Sequence, residues 1–173
     1  MAAQDDSKVS RTRLAGERIM VTPLPAVAAA ALPGDRPAAS RLIGATLPED
    51  WPQVDLLDVL PMQAATTPEN EAFGVWLMIE HDTNTVVGDI GFMGPPDDGS
   101  VEIGFSVIPD RRRRGYASDA AERLVVWAFR QPGISVVVAR SDADNIASAR
   151  TLAATGFVRV DEANGTIHWR RTP

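Results

Sequence analysis

Three β-rich runs follow one another between residues 74 and 108: "GVWLMIEH", "TVVGDIGFMG" and "SVEIGFSVI". The turn signals "DTN" and "PPDDG" separate them, so the three read as an antiparallel meander. After residue 110 the order changes to helix, strand, helix, strand. "YASDAAERLVVWAFR" puts Ala121, Leu124, Val125, Ala128 and Phe129 on one face at helical spacing, and "QPG" stops it. "ISVVVAR" is a nearly unbroken β-branched run, the mark of a strand covered on both faces. "NIASARTLAAT" is a second helix before Gly156, and "GFVRV" and "GTIHWR" end the chain as two strands around "DEANG". A meander followed by this alternation predicts an α+β fold: a mixed sheet with helices on its faces.

Upstream, "ERIMVTPL" reads as a first strand. "PAVAAAAL" and "RPAASRLIGA" read as short helices, the second with Asp35 as its N-cap. "PQVDLLDVLPMQAAT" is a third helical piece, interrupted at Pro61. Residues 1–15 are polar and mixed in charge and are expected to fray as a tail, which leaves 16–173 as a single domain. No stretch approaches the roughly 20 apolar residues of a membrane span. "PLPAVAAAALPG" has the arginines of a signal peptide upstream, but Glu17 and the prolines spoil that pattern. No membrane association and a cytoplasmic location are therefore expected.

The chain contains no cysteine, which excludes a disulfide framework, thiolate zinc sites and a cysteine nucleophile. His81 and His168 are the only histidines, with no H-E-x-x-H, so no metal is expected. No G-x-S-x-G elbow supports a hydrolase triad. Charge is divided unevenly. Residues 23–100 carry twelve acids against two bases, and residues 101–173 carry eight acids against eleven bases, within a net charge of −6.

The most concentrated charge is in "IPDRRRRGYASDA", residues 108–120. A nucleic-acid patch would need basic surface spread over many phosphates. This acidic chain has no second basic cluster, so nucleic acid is not an expected partner. A solvated charge run is the plain alternative, since sixteen of the seventeen basic residues are arginine. The third reading is a cradle for a small anion. A strand-to-helix junction leaves backbone N–H groups free beside the positive end of the helix dipole. Gly115 allows close backbone approach there, and Ala117 keeps the next turn small. Neither G-x-x-x-x-G-K-S/T nor G-x-G-x-x-G occurs anywhere in the chain.

"RRRGYA", Arg112 to Ala117, does follow an R/Q-x-x-G-x-G/A pattern. It resembles motif A of the GNAT superfamily of acyl-CoA-dependent N-acyltransferases. Asn145, Ser148 and Gly156-Phe157 fall at the spacing N-x-x-S/A-x₇-G-F of that family's closing segment. "DRPAASRLIGATLPEDWP" and "VVGDIGFMGPPDDGSVEIGFSVIPD" resemble the RimJ/RimL-like branch. The resemblance implies a splayed mixed sheet, with acetyl-CoA as co-substrate in the opening between the fourth and fifth strands. It implies that the amides of the loop, Arg112, Arg113, Arg114, Gly115, Tyr116, Ala117 and Ser118, hold the pyrophosphate. Phe105, Ser106, Val107 and Ile108 would hydrogen-bond the pantetheine arm, with Asn145 reaching the same arm, and an N–H around Phe105 to Val107 would serve the oxyanion.

The implied activity is acetyl transfer to a primary amine by direct attack in a ternary complex. Glu102 is the candidate general base, because strand alternation sets Glu102, Gly104 and Ser106 opposite Val101, Ile103, Phe105 and Val107. Many relatives carry a tyrosine seven residues after the asparagine, and here that position is Leu152. The thiolate acid is then Ser148 or water, and Ser148 has contact with CoA or capping as rival roles. The lone tyrosine, Tyr116, reads as a packing or adenine-side residue. Trp51 falls where the family lines its acceptor pocket. The acidic cluster Glu49, Asp50, Asp55 and Asp58 would favour a cationic acceptor: a protein N-terminus, a polyamine or another small amine. A homodimer stays open, as does a CoA-binding regulatory module without catalysis.

Overall fold

The expected meander forms as β3 (Val75–Glu80), β4 (Thr85–Phe92) and β5 (Ser100–Val107), antiparallel throughout. The computed structural model describes residues 12–173. Ahead of the meander stand β1 (Leu14–Ala15), β2 (Ile19–Pro23), α1 (Ala26–Ala31), α2 (Arg36–Ile43), α3 (Val54–Leu57) and α4 (Leu60–Ala64). Behind it come α5 (Tyr116–Phe129), β6 (Val136–Asp142), α6 (Ile146–Ala154), β7 (Val158–Ala163) and β8 (Thr166–Arg171). The eight strands form one sheet in the order β1-β2-β3-β4-β5-β6-β8-β7. Only β5 and β6 run parallel, and α5 is the crossover between them. The architecture is α+β, a mixed sheet flanked by helices.

Sequence explains most of these boundaries. The Asp35 carboxylate accepts from the Ala38 N–H at 2.9 Å and caps α2, which ends at Gly44 with φ 77°. Pro61 lies in the first turn of α4 rather than in a helix interior. Its missing N–H is harmless there, and the break falls before it, at Asp58 and Val59. Of the tail expected over 1–15, residues 1–11 lie outside the described residues. Leu14 and Ala15 belong to the sheet instead: they pair with Val21 and Met20, and Leu14 packs on the core.

Through β2, β3 and β4 each face of the sheet carries its own core. On one face Ile19, Val21, Trp76, Met78, Ile90, Val101 and Ile103 meet Ala120, Ala121, Leu124, Val125 and Ala128 of α5. On the other, Val75, Leu77, Ile79 and Val86 meet α1–α4 and Trp51. Beyond β5 the second layer stops. There β6 alternates, with Val137, Ala139 and Ser141 buried and Arg140 and Asp142 exposed. The expectation of a strand covered on both faces fails because no helix follows the sheet that far on the second side. Among the described residues no helix is long and apolar enough to cross a membrane.

Candidate active site

The parallel ladder between β5 and β6 is short. It runs from Ser100 opposite Val136 to Ile103 opposite Ala139, and beyond Ile103 the two strands part. In this numbering the split lies between the fifth and sixth strands, because Leu14–Ala15 counts as the first. On β5, the Glu102 carbonyl accepts from Met93 N–H and Ile108 N–H donates to the Val87 carbonyl, both toward β4. Strand alternation therefore turns the backbones of Phe105 and Val107 the other way, into the split. The Ser106 and Ile108 backbones are spent on the β4 side, and the Ile108 side chain is buried. Of residues 105–108, only Phe105 and Val107 can offer backbone groups to a ligand there.

The loop after β5 opens at the same end of the sheet. Pro109–Arg111 form a 3₁₀ turn, Arg113 has φ 63°, and Gly115, with φ 79°, stands at the N-cap of α5. No side chain caps this helix. Among the described residues no acceptor meets the N–H groups from Arg113 to Ser118, whereas Asp119 N–H bonds back to the Gly115 carbonyl at 3.0 Å. Six consecutive donors at a helix N-terminus form an anion nest.

The arginines of the run are not equivalent. Arg111 Nη1 is 2.8 Å from Glu80, which also accepts from Thr83 at 2.6 Å and from the Tyr116 hydroxyl. These bonds, that of Thr83 first, hold the Glu80 carboxyl below its usual range despite burial. Arg111 and Tyr116 thus anchor the loop to β3. The Tyr116 ring is buried, so it packs rather than reaching an adenine, and only its N–H faces the nest. Arg112 Nε donates to the Val107 carbonyl at 2.9 Å, and Arg114 Nη2 to the Asp110 carbonyl at 3.3 Å. Arg113 and Arg114 are exposed. A further cation went unread in the sequence: Arg18 donates to the Arg114 carbonyl from 96 residues away.

The α6 helix begins at the matching end of β6. Asn145 Oδ1 accepts from the Ser148 N–H at 3.1 Å and caps it. The Ser148 hydroxyl makes no hydrogen bond among the described residues and is partly exposed. Leu152 is 1% exposed, part of the core.

Glu102 lies outside the split, on the uncovered side of the sheet. Both its oxygens accept from Arg140 of β6, at 2.7 and 3.2 Å. The pair borders an open pocket of about 430 Å³ that also includes Val138, Val160, His168 and Arg170. A second carboxylate shares this face of the sheet. Asp89 on β4 is the cross-strand partner of Ser106, and its Oδ2 accepts from Trp51 Nε1 at 2.9 Å. Burial first, and the charge of Asp55 in addition, push the Asp89 carboxyl up to about 6 against the pull of the Trp51 bond. Sequence reasoning named Trp51 but missed Asp89, because only the fold sets the two together, 38 residues apart. Glu49 and Asp50 in the loop before α3, Asp55 on it and Asp58 just after it are all exposed.

Comparisons with known proteins agree with this geometry. A family model described as an acetyltransferase (GNAT) domain matches residues 28–158. The N-acetyltransferase YjdG of Bacillus subtilis (strain 168) is 33% identical over 124 residues, 69% of this chain and 74% of that protein. Among solved structures, the ribosomal-protein-S5-alanine acetyltransferase of Vibrio fischeri superposes with a TM-score of 0.63 at 16% identity, covering 93% of this chain and 96% of that one. The microcin C7 self-immunity acetyltransferase MccE, solved with acetyl-CoA and AMP, gives 0.62 at 14% identity over 91% and 93%. At these identities the two structures speak for the fold alone.

Proposed function

The chain belongs to the GNAT family of acyl-CoA-dependent acetyltransferases, and from that premise we propose that it moves the acetyl group of acetyl-CoA to a primary amine by direct attack in a ternary complex. One observation carries the reading: six N–H groups, Arg113–Ser118, without an acceptor among the described residues, open beside the split between β5 and β6. The pyrophosphate of acetyl-CoA fits this nest, with the Arg112, Arg113 and Arg114 guanidiniums around it. The pantetheine arm then runs along Phe105 and Val107 as an added strand would, and the Asn145 amide NH₂ reaches it from α6.

In this arrangement the thioester carbonyl meets an N–H of Phe105 or Val107, which stabilises the oxyanion of the tetrahedral intermediate. The Ser148 hydroxyl, free in the first turn of α6, gives its proton to the departing thiolate. Glu102 faces the acceptor. Arg140 takes one lone pair on each of its oxygens, and the lone pairs left over let it orient the amine directly or through water. The exposed acids of the α3 region favour a cationic acceptor. A protein N-terminus, as the RimJ/RimL-like resemblance implies, a polyamine and another small amine all meet that description.

The test is thiol release from acetyl-CoA across a panel of such amines. Amine-dependent release is expected, with the acetylated amine as product. Tight acetyl-CoA binding without release above hydrolysis would replace this reading with that of a CoA-binding module.

A further inference from the structure

Resting on the acetyl-transfer reading above, we infer that Asp89 is the group that receives the acceptor's ammonium and takes its proton before attack. Glu102 already gives one lone pair of each oxygen to Arg140, so the acceptor's ammonium would have to share it with that cation. Asp89 differs in each respect that matters. One oxygen, Oδ2, is fixed by Trp51 Nε1 at 2.9 Å, so the carboxylate is oriented without being neutralised. Among the described residues the other, Oδ1, has no protein partner, and it is not sealed away, because no buried side-chain oxygen among them lacks a hydrogen bond.

Position along the ladder points the same way. Asp89 is paired with Ser106, the residue between the two backbones, Phe105 and Val107, that face the split. Glu102 lies four residues up the strand, about 13 Å away. Asp89 also lies close enough to the exposed Asp55 of α3 for that charge to act on it. The groups around it are Trp51, Asp55 on α3, the one charge that acts on it, and uncharged Leu77 and Ser106 on its neighbouring strands. A carboxylate that titrates near 6 is a stronger base than an ordinary aspartate and is still ionised at neutral pH.

The proton balance closes. One proton passes from R–NH₃⁺ to Asp89 Oδ1, and the neutral amine forms the C–N bond as the C–S bond breaks. The second nitrogen proton leaves for solvent as the thiolate takes one from water or from Ser148, which regains its own from solvent, and Asp89 later returns its proton to solvent.

The experiment is kcat against pH at saturating substrates for the wild type, D89N and E102Q, with the acetyl-CoA Kd measured alongside. Asparagine can still accept from Trp51, so the fold should hold. D89N is expected to lose about 100-fold or more in kcat. It should keep its acetyl-CoA Kd within about twofold and lose the acid limb near pH 6, while E102Q keeps that limb. W51F leaves the carboxylate but removes the bond that favours its charged form, so its limb should move to higher pH. D89N activity with the limb intact, a limb lost in E102Q instead, or an unmoved limb in W51F overturns the inference alone. A wild type that releases no thiol with any amine overturns the acetyl-transfer reading beneath it.

Discussion

Two helices begin at the open end of the parallel pair, and they begin differently. The N-terminus of α6 is closed by its own sequence: Asn145 accepts from the Ser148 N–H, and the chain needs nothing further there. The N-terminus of α5 has no side-chain cap, and Gly115 occupies a left-handed conformation that exposes the first-turn donors. The second arrangement costs stability, since an N-cap side chain contributes about 1 kcal/mol. Around it the chain adds fixings of another kind: Arg111 and Tyr116 to Glu80, and Arg18 to the Arg114 carbonyl. The loop is held from behind while its donors stay free in front. A helix start left open but braced in this way is what the proposed pyrophosphate site requires.

The sharpest break in this comparison is Gly115→Val. A β-branched residue resists φ 79°, and its Cβ would stand 2.7 Å from Arg18 Nη1. Acetyl-CoA affinity should fall by about 100-fold or more, because several charge-assisted bonds are lost together. Calorimetry measures this, with a circular-dichroism melt to show the fold retained.

Next comes the bracing. Glu80→Gln should cost roughly 2 kcal/mol in chemical denaturation at pH 7, below the range for a fully buried pair because Arg111 is partly exposed. The Glu80 carboxyl is held below its ordinary value of 4.5 in the folded chain. Its contribution is therefore present above that value and is lost as the pH falls through the folded pKa. Melting temperatures of wild type and variant should accordingly converge as the pH drops below about 4.5.

Replacing Arg114 by alanine should weaken acetyl-CoA binding by about 1–2 kcal/mol, since the backbone donors remain, and the wild-type affinity should fall gently with salt. The smallest change belongs to the closed helix. Asn145→Ala should cost about 1 kcal/mol of stability, recovered by Asn145→Asp, which can cap but cannot donate to pantetheine. Acetyl-CoA affinity that stays low in Asn145→Asp would show the amide NH₂ serving the ligand as well.

The sequence made this contrast legible in outline. Period and turn chemistry announced the meander, α5 and α6, because local pattern decides them. Gly115 and Asn145 stood out because their backbone and capping requirements are local too. What escaped notice was set by packing at long range. Arg18 reaches the loop from the β1–β2 turn, Asp89 meets Trp51 across two elements, and Arg140 closes on Glu102 because parallel register places β6 beside β5. The one misjudged strand, β6, opens on a β-branched run that reads as covered on both faces, yet the helical layer ends before it, and coverage of a face is a tertiary property.

The central claim is that acetyl-CoA sits on the open backbone of α5, and amide NMR tests it directly. Titration of ¹⁵N-labelled protein with acetyl-CoA should shift the amide signals of Arg113 to Ser118 most, with those of Phe105 and Val107 following. The Ser148 amide, already engaged by Asn145, should move least among these. Saturable binding that leaves the Arg113–Ser118 amides in place would contradict the account.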